Sequence, residues 1–366
     1  MAPTAFSEYD TELNAAAKLS AERAGRQAGN IEDTIRVANE LVRGLEIAKL
    51  DPKRIATLKS DITVMLDGLA TAVLNGERSL AVAKEDLREK AFNYLVSFLM
   101  SFASRTGTRD RLQIFTTNYD RFIEAGAEVA GLHLLDRFVG SLAPVFRSSR
   151  LDIDIHYNPP GIRGEPRYLE GVAKFTKLHG SLDWINVDRS ILRMALPFGA
   201  DKVAPYLSAP GLAGAQTSEL MIYPNSAKDR ETAAYPYVEL FRDFAAAVCR
   251  PNGTLVSYGY GFGDEHINRV IEDMLTIPST HLVVIAHGDA LGRIMRMYEK
   301  TGRPAQITLL VGDHLGKLSD LIDNYLPKPA IDRTSFRMAE LLKSRWGTSK
   351  SDTGQAPHEA IPQVNE

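Results

Sequence analysis

Cysteine is almost absent from this chain: Cys249 is the only one in 366 residues. A single cysteine rules out a disulfide within the chain and any zinc site that needs several thiolates. We interpret Cys249 as a small, buried apolar residue. The scarcity of cysteine fits a reducing compartment, and we expect the protein to be cytoplasmic.

Long apolar runs and an excess of basic residues are missing as well. No run of about 18 apolar residues occurs, and the N-terminus lacks the charged-then-apolar pattern of a secretory signal, so we expect no membrane segment. Lysine and arginine number 43 against 46 acidic residues, and this balance gives no electrostatic reason for tight binding to nucleic acid. The 44% of hydrophobic residues is typical of a globular protein with a sizeable core.

The first 107 residues have the apolar spacing of helices and no strand-like alternation. Apolar residues recur every three or four positions over Ile31–Leu45 and again over Ile55–Val73. Asp51 is a suitable cap for the second of these helices, Pro52 suits its first turn, and Asn75-Gly76 is a plausible stop. We therefore predict an N-terminal helical region.

After Gly107 short apolar runs alternate with helical stretches. The runs predicted to be strands are Leu112–Thr116, Val172–Leu178, Met221–Tyr223, Thr254–Tyr258, Leu282–Ala286 and Ile307–Val311. Helical patterns such as Tyr237–Val248 lie between the later runs, as right-handed strand–helix–strand units require. The sequence predicts an α/β fold with a Rossmann-like, doubly wound parallel sheet over residues 108–330.

Two stretches rich in proline and glycine, residues 140–171 and 196–214, are expected to form loops over the sheet. Residues 331–366 are expected to form a C-terminal helix followed by a disordered tail, because the composition turns polar past Gly347.

Three polar loops follow three of the predicted strands, which is where ligands bind in open α/β sheets. Their sequences are Thr-Thr-Asn-Tyr-Asp at 116–120, His-Gly-Ser at 179–181 and Gly-Tyr-Gly-Phe-Gly-Asp at 259–264. We expect all three to face one crevice. Taken singly, an Asn-x-Asp or a His-Gly after a strand is more often a structural turn, so the hypothesis of a site depends on their joint occurrence.

Together these loops resemble the sirtuin-like domain, and within it the branch found in bacterial anti-phage defence proteins. The resemblance is carried by Asn118-x-Asp120 after one strand, His179-Gly180 after another, and the glycine-rich run before Asp264-Glu265-His266-Ile267-Asn268. Order and strand context match from about residue 111 to about residue 315. The resemblance implies a sirtuin-like fold with a site for nicotinamide adenine dinucleotide (NAD), at which the bond between nicotinamide and ribose is broken.

The chemistry of that bond suggests a role for each residue. Its cleavage passes through an oxocarbenium-like transition state, so the site must steer a water to the ribose carbon and manage one proton. By resemblance, Asn118 orients the water, His179 accepts a proton as a neutral imidazole, and Asp120 contacts the nicotinamide end or holds its loop.

The resemblance also implies residues that contact the dinucleotide. They are Thr116, Thr117, Gly180, Gly259, Tyr260, Gly261 and Asp264. The glycines, with Gly263, let the backbone approach the ligand without side-chain obstruction. Asp264 has a second interpretation as the cap of the helix that follows, and His266 is interpreted as an exposed histidine in the first turn of that helix instead of a metal ligand.

The sequence departs from lysine-deacylating sirtuins because it lacks their zinc module. That module needs four cysteines and the chain has one, so we expect no zinc, and water in place of an acyl-lysine as the acceptor. Hydrolysis of NAD as the substrate is then the favoured activity.

A second departure concerns the phosphates. Family members open with a strand and a Gly-Ala-Gly-x-Ser loop that cradles the pyrophosphate, and nothing like it precedes Asn118. The nearest run, residues 24–29, lies in a helical pattern. Either the chain begins downstream of that loop, or another segment or subunit supplies it, or turnover is lost. Four arginines offer another phosphate contact, although a solvated basic loop is their more ordinary interpretation: Arg147, Arg150, Arg163 and Arg167.

Three functions stay open at this point. The first is an NAD glycohydrolase that depletes NAD in infected cells, acting as a homo-oligomer and with a hexameric HerA-like DNA-translocating ATPase as its partner, which the resemblance alone implies. The second is a scaffold that binds NAD or ADP-ribose without turning it over. The third, a nuclease, is disfavoured by the acidic balance and by the lack of an evident carboxylate metal cluster.

Overall fold

A computed structural model of the chain describes residues 6–23, 29–103, 111–149, 153–157, 167–209, 211–212, 215, 219–220 and 235–327. The three polar loops lie wholly within these residues. Several predicted features lie outside them: the strand Met221–Tyr223, the arginines Arg150 and Arg163, most of the run 24–29, and the segment 331–366.

The N-terminal part of the described chain is helical, as predicted. Its helices are α1 (Asp10–Arg23), α2 (Ile31–Ala48), α3 (Pro52–Ala81) and α4 (Glu85–Ala103). Asn30 caps α2, because its side chain accepts a hydrogen bond from the Asp33 amide while the Asp33 carboxylate accepts one from the Asn30 amide. Pro52 begins α3, but the Asp51 side chain makes no capping hydrogen bond.

Helix α3 is longer than predicted, because it continues through Asn75-Gly76 to Ala81. A glycine inside a helix costs about 1 kcal/mol relative to alanine. The residues around it offset that cost, since Leu74 and Glu77 are only 1% and 0% exposed. The predicted stop was therefore wrong, because tertiary packing outweighs the local preference of one glycine.

The later strands and helices alternate along the chain. The strands are β1 (Leu112–Thr116), β2 (His133–Leu135), β3 (Phe138–Val139), β4 (Val145–Phe146), β5 (His156–Tyr157), β6 (Arg167–Tyr168), β7 (Val172–Lys177), β8 (Trp184–Val187), β9 (Ser190–Arg193), β10 (Thr254–Tyr258), β11 (His281–Ala286) and β12 (Ile307–Val311). The helices are α5 (Phe122–Ala130), α6 (Tyr237–Val248), α7 (Glu265–Leu275), α8 (Arg293–Thr301), α9 (Asp313–Gly316) and α10 (Leu318–Asn324). Short 3-10 helices occupy Ala204–Ser208, Ala290–Gly292 and Pro304–Gln306.

The parallel strands form two three-stranded sheets. The first sheet has the order β1-β7-β2 and the second the order β10-β11-β12, and every pairing in both is parallel. The predicted α/β fold with parallel strands is thus confirmed, although no strand ladder joins the two sheets within the described chain. Strands β1, β7, β10, β11 and β12 begin and end within one residue of the predicted bounds.

A small antiparallel sheet, in the order β3-β4-β9-β8, and the ribbon β5-β6 occupy regions between β2 and the 3-10 helix Ala204–Ser208. Part of this region was expected to be loop. The strands here are two to four residues long, too short for alternating hydrophobicity to reveal them. The rings of Phe138 in β3 and Trp184 in β8 pack 4.9 Å apart, and both residues belong to the large hydrophobic core cluster.

Helices cover both faces of the first sheet. Leu112 and Ile114 of β1 pack into a cluster with α4 and α5. Phe115, on the opposite face, meets Phe244 of α6 with ring centroids 5.0 Å apart. The second sheet buries its central strand against α7 and α8 in the same large core cluster that contains Phe115. The two sheets therefore share one hydrophobic core.

In the part of the chain that the structure describes, no helix is both long enough and apolar enough to cross a membrane.

Candidate active site

The first two polar loops leave neighbouring strands at the same level. Thr116 of β1 pairs in parallel with Lys177 of β7, so Asn118 and His179 each lie two residues beyond the same rung. The Leu178 amide donates to the Thr116 carbonyl at 2.8 Å, which continues the ladder past the strand ends. The structure thus brings the loops of Asn118 and His179 to the carboxyl edge of the first sheet, at the ends of two neighbouring strands.

Asn118 presents an exposed side chain in the loop that follows β1. Its backbone amide donates to Thr116 Oγ1 at 3.1 Å, which fixes the turn, and the residue itself is exposed. Its side-chain amide makes no hydrogen bond with any described residue. An amide held in place by its backbone offers both a donor and an acceptor to a ligand or a water. Thr117, next to it, is half-buried.

Asp120 is engaged by its own loop. Its Oδ1 accepts a 3.3 Å hydrogen bond from the Phe122 amide at the start of α5, and its carbonyl accepts one from Lys177 Nζ. Lys177 is 2% exposed and also forms an ion pair with Glu124 at 2.9 Å. Of the two roles expected for Asp120, the contacts correspond to holding the loop.

A buried ion pair anchors the same loop to the helical region. Both Arg121 Nη2 and Arg121 Nε bond the Glu77 carboxylate, at 2.5 and 3.1 Å, and the Arg121 backbone amide donates to it at 2.8 Å. Glu77 lies on α3 and is 0% exposed. The sequence offered no signal for this pair, because the two residues are 44 positions apart.

His179 and Asp264 form a dyad that joins the two sheets. His179 Nε2 lies 2.8 Å from Asp264 Oδ2, and the side chains are 21% and 5% exposed. The other carboxylate oxygen, Oδ1, accepts a 2.9 Å hydrogen bond from the His266 amide and caps α7. Asp264 is therefore both the predicted cap and a site residue. The contact also places the loop after β7 against the loop after β10.

The glycine-rich loop needs glycine for two separate reasons. Gly259 has φ of 68°, in the left-handed region, while its amide donates to the Ile285 carbonyl at 3.0 Å and continues the second sheet. Gly180, in the loop of His179, has φ of 90°. At Gly263 the reason is space, because a Cβ there would lie 2.8 Å from a guanidinium nitrogen of Arg293.

Tyr260 stiffens this loop from within. Its hydroxyl lies 3.0 Å from the Asp264 carbonyl and 2.9 Å from Asn268 Oδ1, and its ring packs on Phe262. Burial raises the pKa of the Tyr260 phenol, with a smaller effect of the same sign from the Asp264 carboxylate. The phenol therefore remains a protonated donor. Its hydroxyl contacts link the loop to the first turns of α7.

Arg293, which was not predicted, begins α8, and its guanidinium lies close to Gly261 and Gly263 of the glycine-rich loop. Arg147, one of the four arginines offered as a phosphate contact, follows β4, and its amide donates to the Arg137 carbonyl at 2.8 Å. Among the described residues, no hydrogen bond or ion pair joins the Arg147 side chain to the three loops. His266, expected to be exposed, is half-buried and packs on Phe241.

A cavity of about 380 Å³ lies behind the loop of Asp120. Charged side chains line it, among them Glu124, Lys177 and Asp183, whereas Asn118 and His179 do not. Glu124 Oε2 and Asp183 Oδ1 are sealed from solvent and have no hydrogen-bond partner in the described structure. Burial raises the pKa of Glu124, and the Lys177 ammonium opposes that effect. The cavity is therefore a separate, charged chamber and not the crevice of His179.

No group of three or more histidine, cysteine, aspartate or glutamate side chains is placed to hold a metal ion in the described ranges. The dyad contributes one histidine and one carboxylate. One histidine and one carboxylate fall short of the four ligands of a structural zinc module.

A search of curated proteins finds no match to this chain. A family profile described as a SIR2-like domain, however, matches residues 112–302. The matched segment contains Asn118, Asp120, His179, Asp264 and Arg293, and it covers just over half of the chain. We conclude that the chain belongs to the family of SIR2-like domains, which use NAD.

Proposed function

We propose that this protein is an NAD glycohydrolase, which cleaves the nicotinamide–ribose bond with water as the acceptor. One observation carries the proposal: the His179–Asp264 dyad and the exposed Asn118 both lie at the strand ends of a SIR2-like domain. The arrangement combines a group that takes up a proton with a group that positions a water.

The contact with Asp264 determines which nitrogen of His179 accepts the proton. In the neutral imidazole the Nε2 proton is donated to the Asp264 carboxylate, which leaves Nδ1 as the acceptor. No described residue bonds Nδ1. Asp264, 5% exposed, then stabilises the imidazolium that forms when Nδ1 takes up a proton.

The substrate supplies a carbon–nitrogen glycosidic bond whose leaving group departs as neutral nicotinamide with the bonding electron pair. Asn118 orients a water so that its oxygen forms the new bond to the ribose carbon. His179 takes the proton that this water loses, and ADP-ribose and nicotinamide result. Asp120 keeps the Asn118 loop in place through its contacts with Phe122 and Lys177.

The proposal has a biological extension, which rests on the resemblance of the three loops to anti-phage defence proteins. We propose that the enzyme acts in the cytoplasm as a homo-oligomer, together with a hexameric HerA-like DNA-translocating ATPase, and depletes NAD in infected cells. The runner-up is a scaffold that binds NAD or ADP-ribose without turnover.

The test is to incubate the purified protein with NAD, alone and with a hexameric HerA-like ATPase, and to follow nicotinamide release. Asn118→Ala and His179→Ala should each abolish most of the release without lowering the melting temperature. Asn75→Ala and His133→Ala are matched controls, because both residues are exposed and lie on α3 and β2, away from the crevice. Release that survives both site substitutions would overturn the site assignment. Binding of NAD without release under either condition would overturn the hydrolase in favour of the scaffold.

A further inference from the structure

Arg293 is a half-buried arginine that has no hydrogen-bond or ion-pair partner among the described residues. Its Nε is sealed from solvent and has no hydrogen-bond acceptor, and no described residue forms a hydrogen bond or an ion pair with its guanidinium. Buried cations are normally paired, because removing a charge from water without compensation is costly. Because no described residue bonds the guanidinium, it is available to an anionic ligand.

The guanidinium lies against the glycine-rich loop. A Cβ on Gly263 would be 2.8 Å from Arg293 Nη1, and one on Gly261 would be 3.4 Å from Nη2. Both Nη atoms of the guanidinium therefore lie close to the backbone of the loop that follows β10. Gly261 and Gly263, predicted to let the backbone approach the dinucleotide, also make room for this arginine.

Nearby carboxylates are already engaged elsewhere. Asp264 bonds His179 with one oxygen and caps α7 with the other. Asp289 accepts from the Ile294 and Met295 amides, at 2.8 and 3.1 Å, and so holds the start of α8. Neither forms an ion pair with Arg293.

We propose that Arg293, with the backbone of Gly261 and Gly263, binds the diphosphate of the dinucleotide. The planar guanidinium presents paired donors that match the oxygens of a phosphate group, and a phosphate there would supply the missing counterion. The inference rests on the proposed function, since it assigns a part of the same substrate. It also provides a phosphate contact in a chain that has no Gly-Ala-Gly-x-Ser loop before Asn118.

The test measures binding by calorimetry, with ADP-ribose and adenosine as probes. Arg293→Gln should weaken the binding of ADP-ribose by about 10- to 100-fold and leave the binding of adenosine unchanged, because only ADP-ribose has the charged diphosphate. Arg293→Lys should give an intermediate loss of ADP-ribose affinity, since lysine keeps the positive charge but not the paired donors of the guanidinium. Arg296→Gln is the matched control, because Arg296 lies on the same helix, is exposed and bonds the Leu291 carbonyl. It should bind both probes as wild type.

A second variant keeps the arginine but moves it. Gly263→Ala places a methyl group 2.8 Å from the present position of Arg293 Nη1, which must shift, and should also weaken ADP-ribose binding selectively. Melting temperatures close to wild type show that these variants fold. Unchanged ADP-ribose binding in both Arg293→Gln and Gly263→Ala would overturn the assignment. It would also be overturned if adenosine binding weakened as much as ADP-ribose binding.

The inference and the proposed function can fail separately. If no variant or partner yields nicotinamide release, yet Arg293→Gln still weakens ADP-ribose, the phosphate site stands and the hydrolase does not. If NAD is hydrolysed and Arg293→Gln leaves both ADP-ribose binding and the KM for NAD unchanged, the hydrolase stands and the phosphate site does not.

Discussion

Asp264 combines two tasks in one carboxylate, since one oxygen caps α7 and the other bonds His179. Asp264→Ser keeps a good cap but removes the acceptor from His179, so kcat should fall by about 100-fold or more while stability changes little. Asp264→Asn should also have a low kcat, because the asparagine side chain has one oxygen and cannot present an acceptor to both the His266 amide and the His179 Nε2 proton. Steady-state kinetics of nicotinamide release, with melting temperatures, check both variants.

The control for the capping role is Asn30→Ala, which removes the cap of α2. It should cost about 1 kcal/mol of stability and leave kcat unchanged. Wild-type turnover in Asp264→Ser would contradict the role of the dyad.

The residues of the crevice were only partly predictable. Asn118, His179 and the glycine-rich loop could be identified because each follows a strand, and strand ends are readable from hydrophobic runs. The partners of these residues could not. Asp264 is 85 positions from His179, and a contact over that distance depends on how two sheets are placed. Arg293 begins a helix, where a surface arginine is the ordinary expectation.

At the scale of elements, Gly126 controls the contact between α4 and α5. A Cβ at this position would lie 2.5 Å from Leu95 Cγ and 2.7 Å from Leu95 Cδ2. Gly126→Ala should lower the free energy of unfolding by about 1–2 kcal/mol, because overpacking outweighs the gain of about 1 kcal/mol in helix propensity. Urea unfolding measures the change.

Gly44, inside α2, is the matched control, since a Cβ there meets nothing within 4 Å. Gly44→Ala should stabilise the protein by up to about 1 kcal/mol. Stabilisation by both substitutions would show that α4 and α5 are not closely packed at Gly126.

Long elements were more predictable than short ones. The five central strands and the amphipathic helix Tyr237–Val248 match their predicted bounds closely, because five or more residues carry a readable pattern. The small antiparallel sheet was missed, since its longest strands have four residues. The division of the parallel strands into two sheets is a matter of pairing, which single-strand patterns do not contain.

At the scale of the molecule, the Glu77–Arg121 pair couples the helical region to the crevice. It is buried, and it joins α3 to the residue that follows Asp120. Glu77→Ala should lower the free energy of unfolding by about 3–5 kcal/mol, because it leaves a buried guanidinium without its partner. The control is Glu46→Ala, which removes an exposed pair with Lys59 and should cost about 1 kcal/mol or less. Equal losses in the two variants would contradict the coupling.

Two carboxyl groups with a raised pKa should also make the stability of the whole molecule depend on pH. Burial raises the pKa of Glu124, against the opposing Lys177 ammonium, and burial likewise raises the pKa of Asp243, against Arg137. The folded protein therefore holds these protons more tightly than the unfolded chain, whose glutamate ionises near its ordinary pKa of 4.5. The stability contributed by the protonated Glu124 is fully present below about pH 4.5, and it is lost as the pH rises from 4.5 through the raised pKa of Glu124 in the folded protein.

Glu124→Gln removes one of these groups, so its free energy of unfolding should fall less steeply than that of wild type between pH 4.5 and neutrality. Urea titrations at a series of pH values in that window measure both slopes. Glu40→Gln changes an exposed carboxylate on α2 and should follow the wild-type slope. Because substitution at either position alters absolute stability, the comparison depends on slope alone. Parallel curves for wild type and Glu124→Gln would mean that Glu124 ionises in the folded protein as readily as in the unfolded chain.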